Sequence, residues 1–189
     1  MNPVRGCREV VFISCHFSFV WVGLYTVLKE RFKELQDRLL SETKTFYGET
    51  LVSVVVFGSV GRGTQTFDSD VDVLIIARNL PHGRIKRVRA FETVENNLMP
   101  FLKGIEGNGI NSCISPIFKT PEETEKGSPL FLDMVEDAHI MFDRDNYFST
   151  FLKQFKDRLH TLGAKRVWMG NAWYWDLKPD YKPGEIFEL

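Results

Sequence analysis

The chain has 189 residues, 43% hydrophobic and 26% charged, with a formal net charge of −1. That length predicts one principal domain with a sizeable core, and the composition is that of an ordinary globular protein rather than a disordered or fibrous one. The near-neutral balance excludes a global polybasic surface, so any site for phosphate or nucleic acid has to be local.

Cys7, Cys15 and Cys113 are an odd set with no CxxC spacing. This excludes a disulfide framework and a cysteine zinc site, and it fits a reducing, cytoplasmic setting. His16, His82, His139 and His160 are scattered and none is predicted to be catalytic.

In chain order, Val10 to Leu28 carries no Asp, Glu, Lys or Arg. It is just long enough to span a membrane, but Ser14, Cys15, His16, Ser18 and Thr26 dilute it and a charged helix follows directly. No stable membrane association is expected, and residues 1–23 are set apart as an uncertain N-terminal segment, a misassigned start among the alternatives. Leu24, Leu28, Phe32, Leu35 and Leu39 recur at helical spacing, with charged residues between them, and predict an amphipathic helix over 24–40.

Leu51 to Phe57 is a short β-branched apolar run, the pattern of a strand covered on both faces. Gly58, Gly61 and Gly63 follow, so the backbone there can turn tightly and approach a ligand. Ser59 and the backbone N–H groups of the same turn suit phosphate oxygens. Asp70 and Asp72 then open a second apolar run, Val71 to Ala77. In a strand they point the same way, about 6.5–7 Å apart along the backbone. Two carboxylates on one face can hold Mg²⁺ when phosphates supply the remaining oxygens. The segment is not a Walker A loop, which needs Gly-Lys-Ser/Thr, nor a Rossmann turn, which needs a third glycine.

A turn at residues 79–83 precedes a predicted helix over 84–103, with Ile85, Val88, Phe91, Leu98 and Leu102 in register and Val94 or Glu95 between them. Arg84, Lys86, Arg87 and Arg89 at its start are either a solvated face or a basic rim that attracts a polyanion. Residues 110–118 read as a third strand. Thr120-Pro121-Glu122-Glu123 is a capping box that starts a helix, and Ser128-Pro129 is read as repeating the signature for a helix over 130–137. His139 to Phe142 is a fourth strand, closed by a turn at Asp143-Arg144-Asp145. A further amphipathic helix covers 149–163. The tail interleaves Trp168, Trp173, Tyr174, Trp175 and Tyr181 with Lys165, Arg166, Lys178 and Lys182. It reads as an apolar strap or oligomer contact, or else as a surface for bases and phosphates.

Gly58-Ser59, ten residues, then Asp70-Val71-Asp72 resembles the signature of the DNA polymerase β-like nucleotidyltransferases, most closely their minimal (MNT) branch. The resemblance implies an α+β fold, a mixed β-sheet core with flanking helices, over residues 24–147, with 148–189 as a C-terminal extension. It implies transfer of a nucleoside monophosphate, AMP from ATP, to a hydroxyl acceptor, with Asp70 and Asp72 as the catalytic Mg²⁺ ligands. Gly58, Ser59, Gly61, Arg62 and Gly63 would bind the nucleotide. The implied acceptor is a HEPN-type protein partner or a small molecule. Many members carry a third carboxylate on the third strand, where this chain has Asn111, Ser112 and Ser115. Asp68, Glu92 and Asp133 are the candidates to replace it, and a catalytically inactive nucleotide-binding module is the alternative reading.

Overall fold

The computed structural model describes residues 14–170 and 172–187. Helix α1 (Ser14–Tyr47) leads into β1 (Leu51–Phe57), a single helical turn α2 (Gly58–Gly61), β2 (Val71–Ala77) and helix α3 (Arg84–Glu106). Then come β3 (Ile114–Lys119), α4 (Pro121–Glu125), α5 (Phe131–Asp137), β4 (His139–Asp143) and α6 (Tyr147–Thr161). A hairpin of β5 (Lys165–Met169) and β6 (Ala172–Asp176) ends the chain.

Four strands form one sheet in the order β3-β2-β1-β4, with β2 and β3 parallel and β1 antiparallel to both neighbours. This is the mixed α+β architecture expected from the sequence. The two central strands are apolar at nearly every position because both faces are covered. Val54, Val56, Val73 and Ile75 pack with Leu28, Phe32, Leu35, Phe91, Val94 and Leu98 on the α1/α3 side. Val52, Val55, Leu74 and Ile76 pack with Phe131, Met134, Phe148, Phe155 and Leu159 on the α5/α6 side. A bulge between Leu51 and Ser53 shifts the alternation along β1.

Several expectations need correction. Helix α1 runs past residue 40 to Tyr47, because no glycine or proline falls between Leu40 and Gly48, whose φ of +51° ends it. Strand β3 starts at Ile114 rather than at 110; the Asn111 amide instead donates to Phe67 O at 2.8 Å, and Ile110 is buried in the core. Ser128 stands two residues ahead of the cap position of α5, which is Leu130; its hydroxyl accepts from Leu130 N at 3.4 Å and its carbonyl from Phe131 N at 3.0 Å, so it fastens the turn that leads into the helix. The Asp143–Asp145 turn holds as read. Asp143 accepts from Ser53 Oγ at 2.7 Å and from the amides of Phe148 and Ser149 at 2.9 Å each, tying β1 and β4 to the start of α6. Residues 1–13 of the N-terminal segment lie outside the described residues, and among those described no helix is long and apolar enough to cross a membrane.

Arg87 departs from both readings of the basic stretch. It is only 8% exposed and bound to Glu123 through two hydrogen bonds of 2.6 and 2.8 Å, with Pro81 O and Phe118 O as further acceptors. Glu123 also accepts from Thr120 N, completing the expected capping box. One carboxylate therefore caps α4 and ties it to α3, while Arg87 itself reaches β3 through Phe118 O. The Arg87 guanidinium, with help from the Thr120 amide, holds the Glu123 carboxyl down at about 2.

The folded carboxyl sits below its ordinary value, so its stabilisation is present above about pH 4.5 and lost as the pH falls towards about 2. Glu123→Ala should lower stability by about 2–3 kcal/mol at neutral pH, because it strands Arg87 and removes a cap. Urea melts at pH 7 and pH 3 check this: the gap between wild type and variant should shrink at the lower pH.

Candidate active site

The site is built where β1 ends over the start of β2. The last pair of the β1–β2 ladder is Phe57 with Asp72, and Gly58 follows with φ at +68°. A Cβ on Gly58 would collide with the Asp72 carboxylate. Glycine is required here for its left-handed backbone and for the space it leaves. Gly61, at the end of the same turn, is also closely packed: a Cβ there would stand 2.8 Å from both Val56 O and Asp137 O. Gly63 has φ at +70° and open space beside it.

The turn between them is fastened by its own backbone. The amides of Arg62, Gly63 and Thr64 donate to Gly58 O, Val60 O and Ser59 O at 2.9–3.1 Å. Those bonds use carbonyls, while the first amides of a helical turn have no acceptor within it. From α1, the Tyr25 hydroxyl reaches Gly63 O at 3.4 Å.

Asp70 immediately precedes β2 and Asp72 lies within it, on either side of the buried Val71, and the charge of Asp70 is felt at the Asp72 carboxyl. Asp72 lies on the α5/α6 side and stands in register with Ser115 of β3. Burial pushes the Asp72 carboxyl up, and the negative charge of Asp70 pushes it further; a hydrogen bond with Ser115 and the Arg62 guanidinium oppose the shift. Asp70 Oδ1 accepts from both the amide and the thiol of Cys113 at 3.1 Å, and Val71 N donates to Cys113 O. Burial and this bond to Asp70 push the Cys113 thiol up to about 11, so it stays protonated and remains a donor.

No third acid joins the pair: among the described residues no three or more His, Cys, Asp or Glu side chains cluster as a metal site. Of the candidates, Asp68 accepts from Asn111 Nδ2 and Asp133 accepts from the Trp173 and Trp175 indoles, while Glu92 lies exposed on α3. What remains is two hard oxygen donors whose charges repel each other. That donor set fits a divalent cation that completes its coordination with substrate oxygens.

Arg62 extends from the turn towards the C-terminal hairpin. Its guanidinium is 3.6 Å from Asp137 Oδ2 and stacks over Trp173, 5.1 Å from the ring centroid. Cys113, Asp137, Arg166 and Trp173 were not foreseen as neighbours of the site. Cys113 could have been found from the β2–β3 register; nothing local in the sequence marks the other three.

Asp72 carries a carboxyl held above its ordinary value, so its ionised form costs stability at neutral pH and the cost disappears in acid. Asp72→Asn should therefore raise the melting temperature of the metal-free protein by a few degrees at pH 7, with the gain vanishing near pH 3. Gly58→Ala should instead lose about 1–3 kcal/mol from its positive φ and the collision with Asp72. Thermal melts of both variants in chelator measure these effects.

A family model of the nucleotidyltransferase domain matches residues 36–140. A Methanocaldococcus jannaschii protein that carries the name protein adenylyltransferase is 37% identical over 122 residues, 64% of this chain and 78% of that one. The fold is similar to that in a crystal structure of a toxin–antitoxin with AMP-PNP, at 14% identity and a TM-score of 0.44 over 66% of this chain and 86% of that one. A tri-AMPylated Shewanella oneidensis HEPN toxin in complex with MNT antitoxin matches at 12% identity and a TM-score of 0.43, covering 70% and 90%. The family match takes in more than half of the chain, from the second half of α1 into β4, and contains the glycine turn and both aspartates: the protein is a nucleotidyltransferase, a member of the nucleotidyltransferase domain family.

Proposed function

We propose that the chain transfers AMP from ATP to a hydroxyl acceptor, releasing pyrophosphate, with Asp70 and Asp72 as the ligands of a Mg²⁺ ion. The observation that carries the reading is the closeness of Gly58 to Asp72, which leaves no room for a side chain between the phosphate-suited turn and the paired carboxylates. The backbone at the start of that turn thus stands beside Asp72. A polyphosphate needs both kinds of group, donors for its oxygens and a cation for its charge.

In this reading the amides and hydroxyl of the Gly58–Gly63 turn orient the β- and γ-phosphates, Ser59 contributing its side chain and Arg62 its charge. Bound Mg²⁺ would neutralise charge gathering on the α-phosphate and the departing pyrophosphate. Asp70 is steadied by Cys113 through one oxygen and keeps the other for the ion. The Ser115 hydroxyl orients Asp72 in the same way. The acceptor oxygen forms its bond to the α-phosphorus as the bridging bond to the β-phosphate breaks, and catalysis rests on positioning and electrostatics.

The acceptor is a hydroxyl on a protein, the class for which the Methanocaldococcus relative is named. A HEPN-type partner is the acceptor that the sequence resemblance implies. One observation favours the inactive-module alternative: Ser115, not an acid, stands in register with Asp72.

The test is transfer of label from α-³²P-ATP to protein in Mg²⁺ buffer, with cell extract or a purified HEPN protein as acceptor. Wild type should label the acceptor, and the Asp70→Asn, Asp72→Asn double variant should be reduced by about a thousandfold or more. Nucleotide binding without labelling or pyrophosphate release would assign the chain to the inactive module.

A further inference from the structure

The C-terminal hairpin lies outside the stretch matched by the nucleotidyltransferase domain, yet it touches the glycine turn. Two contacts anchor it to α5: the indole nitrogens of Trp173 and Trp175 both donate to Asp133 Oδ1, at 2.7 and 2.9 Å. One turn further on, Asp137 receives two guanidinium groups on the same oxygen. Arg166 donates to Oδ2 at 2.9 Å, whereas Arg62 stands 3.6 Å away, beyond hydrogen-bonding distance. Both cations also face the Trp173 ring, Arg166 at 4.1 Å and Arg62 at 5.1 Å from its centroid.

The arrangement is unequal in a useful way. Arg166 takes the carboxylate and the closer position on the ring, and its side chain is only 14% exposed. Arg62 is held in place by stacking and by a longer ion pair, and its N–H groups make no hydrogen bond among the described residues. Two guanidiniums share one carboxylate, so the cluster keeps a positive charge. Arg62 is near enough to Asp72 to draw its carboxyl down. The backbone repeats the contact, since Gly61 is packed directly against Asp137 O. A stacked but unbonded guanidinium is preorganised for a planar, two-point grip on phosphate oxygens.

We propose that the β5–β6 hairpin is part of the nucleotide site: Trp173 and Arg166, with Asp137, are positioning residues that aim Arg62 at the outer phosphates of a nucleoside triphosphate. The inference rests on the nucleotide-binding reading above and adds a requirement to it. The extension is needed for binding triphosphate even though none of its residues touches the nucleotide. Removing the hairpin leaves Arg62 present but free to swing into solvent.

The test is calorimetric titration of the full chain with a non-hydrolysable ATP analogue and Mg²⁺, and separately with AMP. Arg62→Ala should weaken the analogue about tenfold and AMP less than about threefold, the loss of one charge-assisted phosphate contact. Trp173→Ala should weaken the analogue about fivefold in the native background and less than about twofold when Arg62 is already alanine. Trp175→Phe, which loses its own bond to Asp133, should stay within about twofold of wild type, separating aim from hairpin stability. If Trp173→Ala does not fold, Arg166→Gln in both backgrounds is read by the same rule.

An equal loss in both backgrounds, or no loss in either, would overturn the proposal. So would an effect of the same size on AMP. Failure of the parent reading looks different: the wild type binds no analogue, or the Asp70→Asn, Asp72→Asn variant binds it as tightly as wild type, and the hairpin proposal then falls with it.

Discussion

The close approach of a glycine backbone to an aspartate carboxylate sets the terms for the rest of this structure. Gly58 can occupy positive φ and has no Cβ, so β1 turns directly over the first residues of β2. That geometry requires the two strands to be antiparallel neighbours at the centre of the sheet, with Phe57 and Asp72 as their final pair. Central strands have both faces covered, and this is why they carry almost nothing but valine, leucine and isoleucine. The apolar interior and the polar site are thus consequences of the same pairing. Asp70 and Asp72 also stand near enough for the charge of the first to raise the carboxyl of the second, a shift that the Arg62 guanidinium partly offsets. Two neighbouring negative charges favour the arrival of positive charge.

Two arginines show how surroundings divide one residue type into two uses. Arg87 is almost fully enclosed and bonded at every side, to a carboxylate and two carbonyls, and it locks α3 to β3 and α4. Four of its five N–H donors are taken within the protein. Arg62 is 27% exposed, stacked on an indole and 3.6 Å from a carboxylate already engaged by Arg166. The first arrangement stabilises a fold. The second keeps a charge available at low cost in side-chain entropy, because the aromatic face restricts the guanidinium without consuming its donors.

The C-terminal extension changes character in this light. Trp175 and Leu177 pack against the α5/α6 core, which agrees with an apolar strap. Yet the strap is a hairpin whose Arg166, stacked on Trp173, meets Asp137 at the end of α5, beside the glycine turn. Helix α5 is therefore shared between the sheet, which it covers, and the hairpin, which it anchors through Asp133. A short helix thus links the tail, through Asp133 and Asp137, to the end of the sheet that carries the glycine turn.

Much of this was legible in the amino-acid sequence, and the reason is locality. Both central strands, the glycine turn, the aspartate pair and the Thr120–Glu123 capping box are written in stretches of fewer than thirty residues. Their periodicity and steric demands act between near neighbours. The start of β3 was misjudged because Ile110 is apolar and buried without being in a strand, so burial alone misled the pattern. What only the tertiary structure decided were the partnerships across long separations: Arg87 with Glu123, Cys113 with Asp70, and Arg62 with Asp137 and Trp173. These depend on strand order and on which face of a helix meets which loop. Sequence spacing carries no direct record of that geometry, since it arises only when separate elements pack.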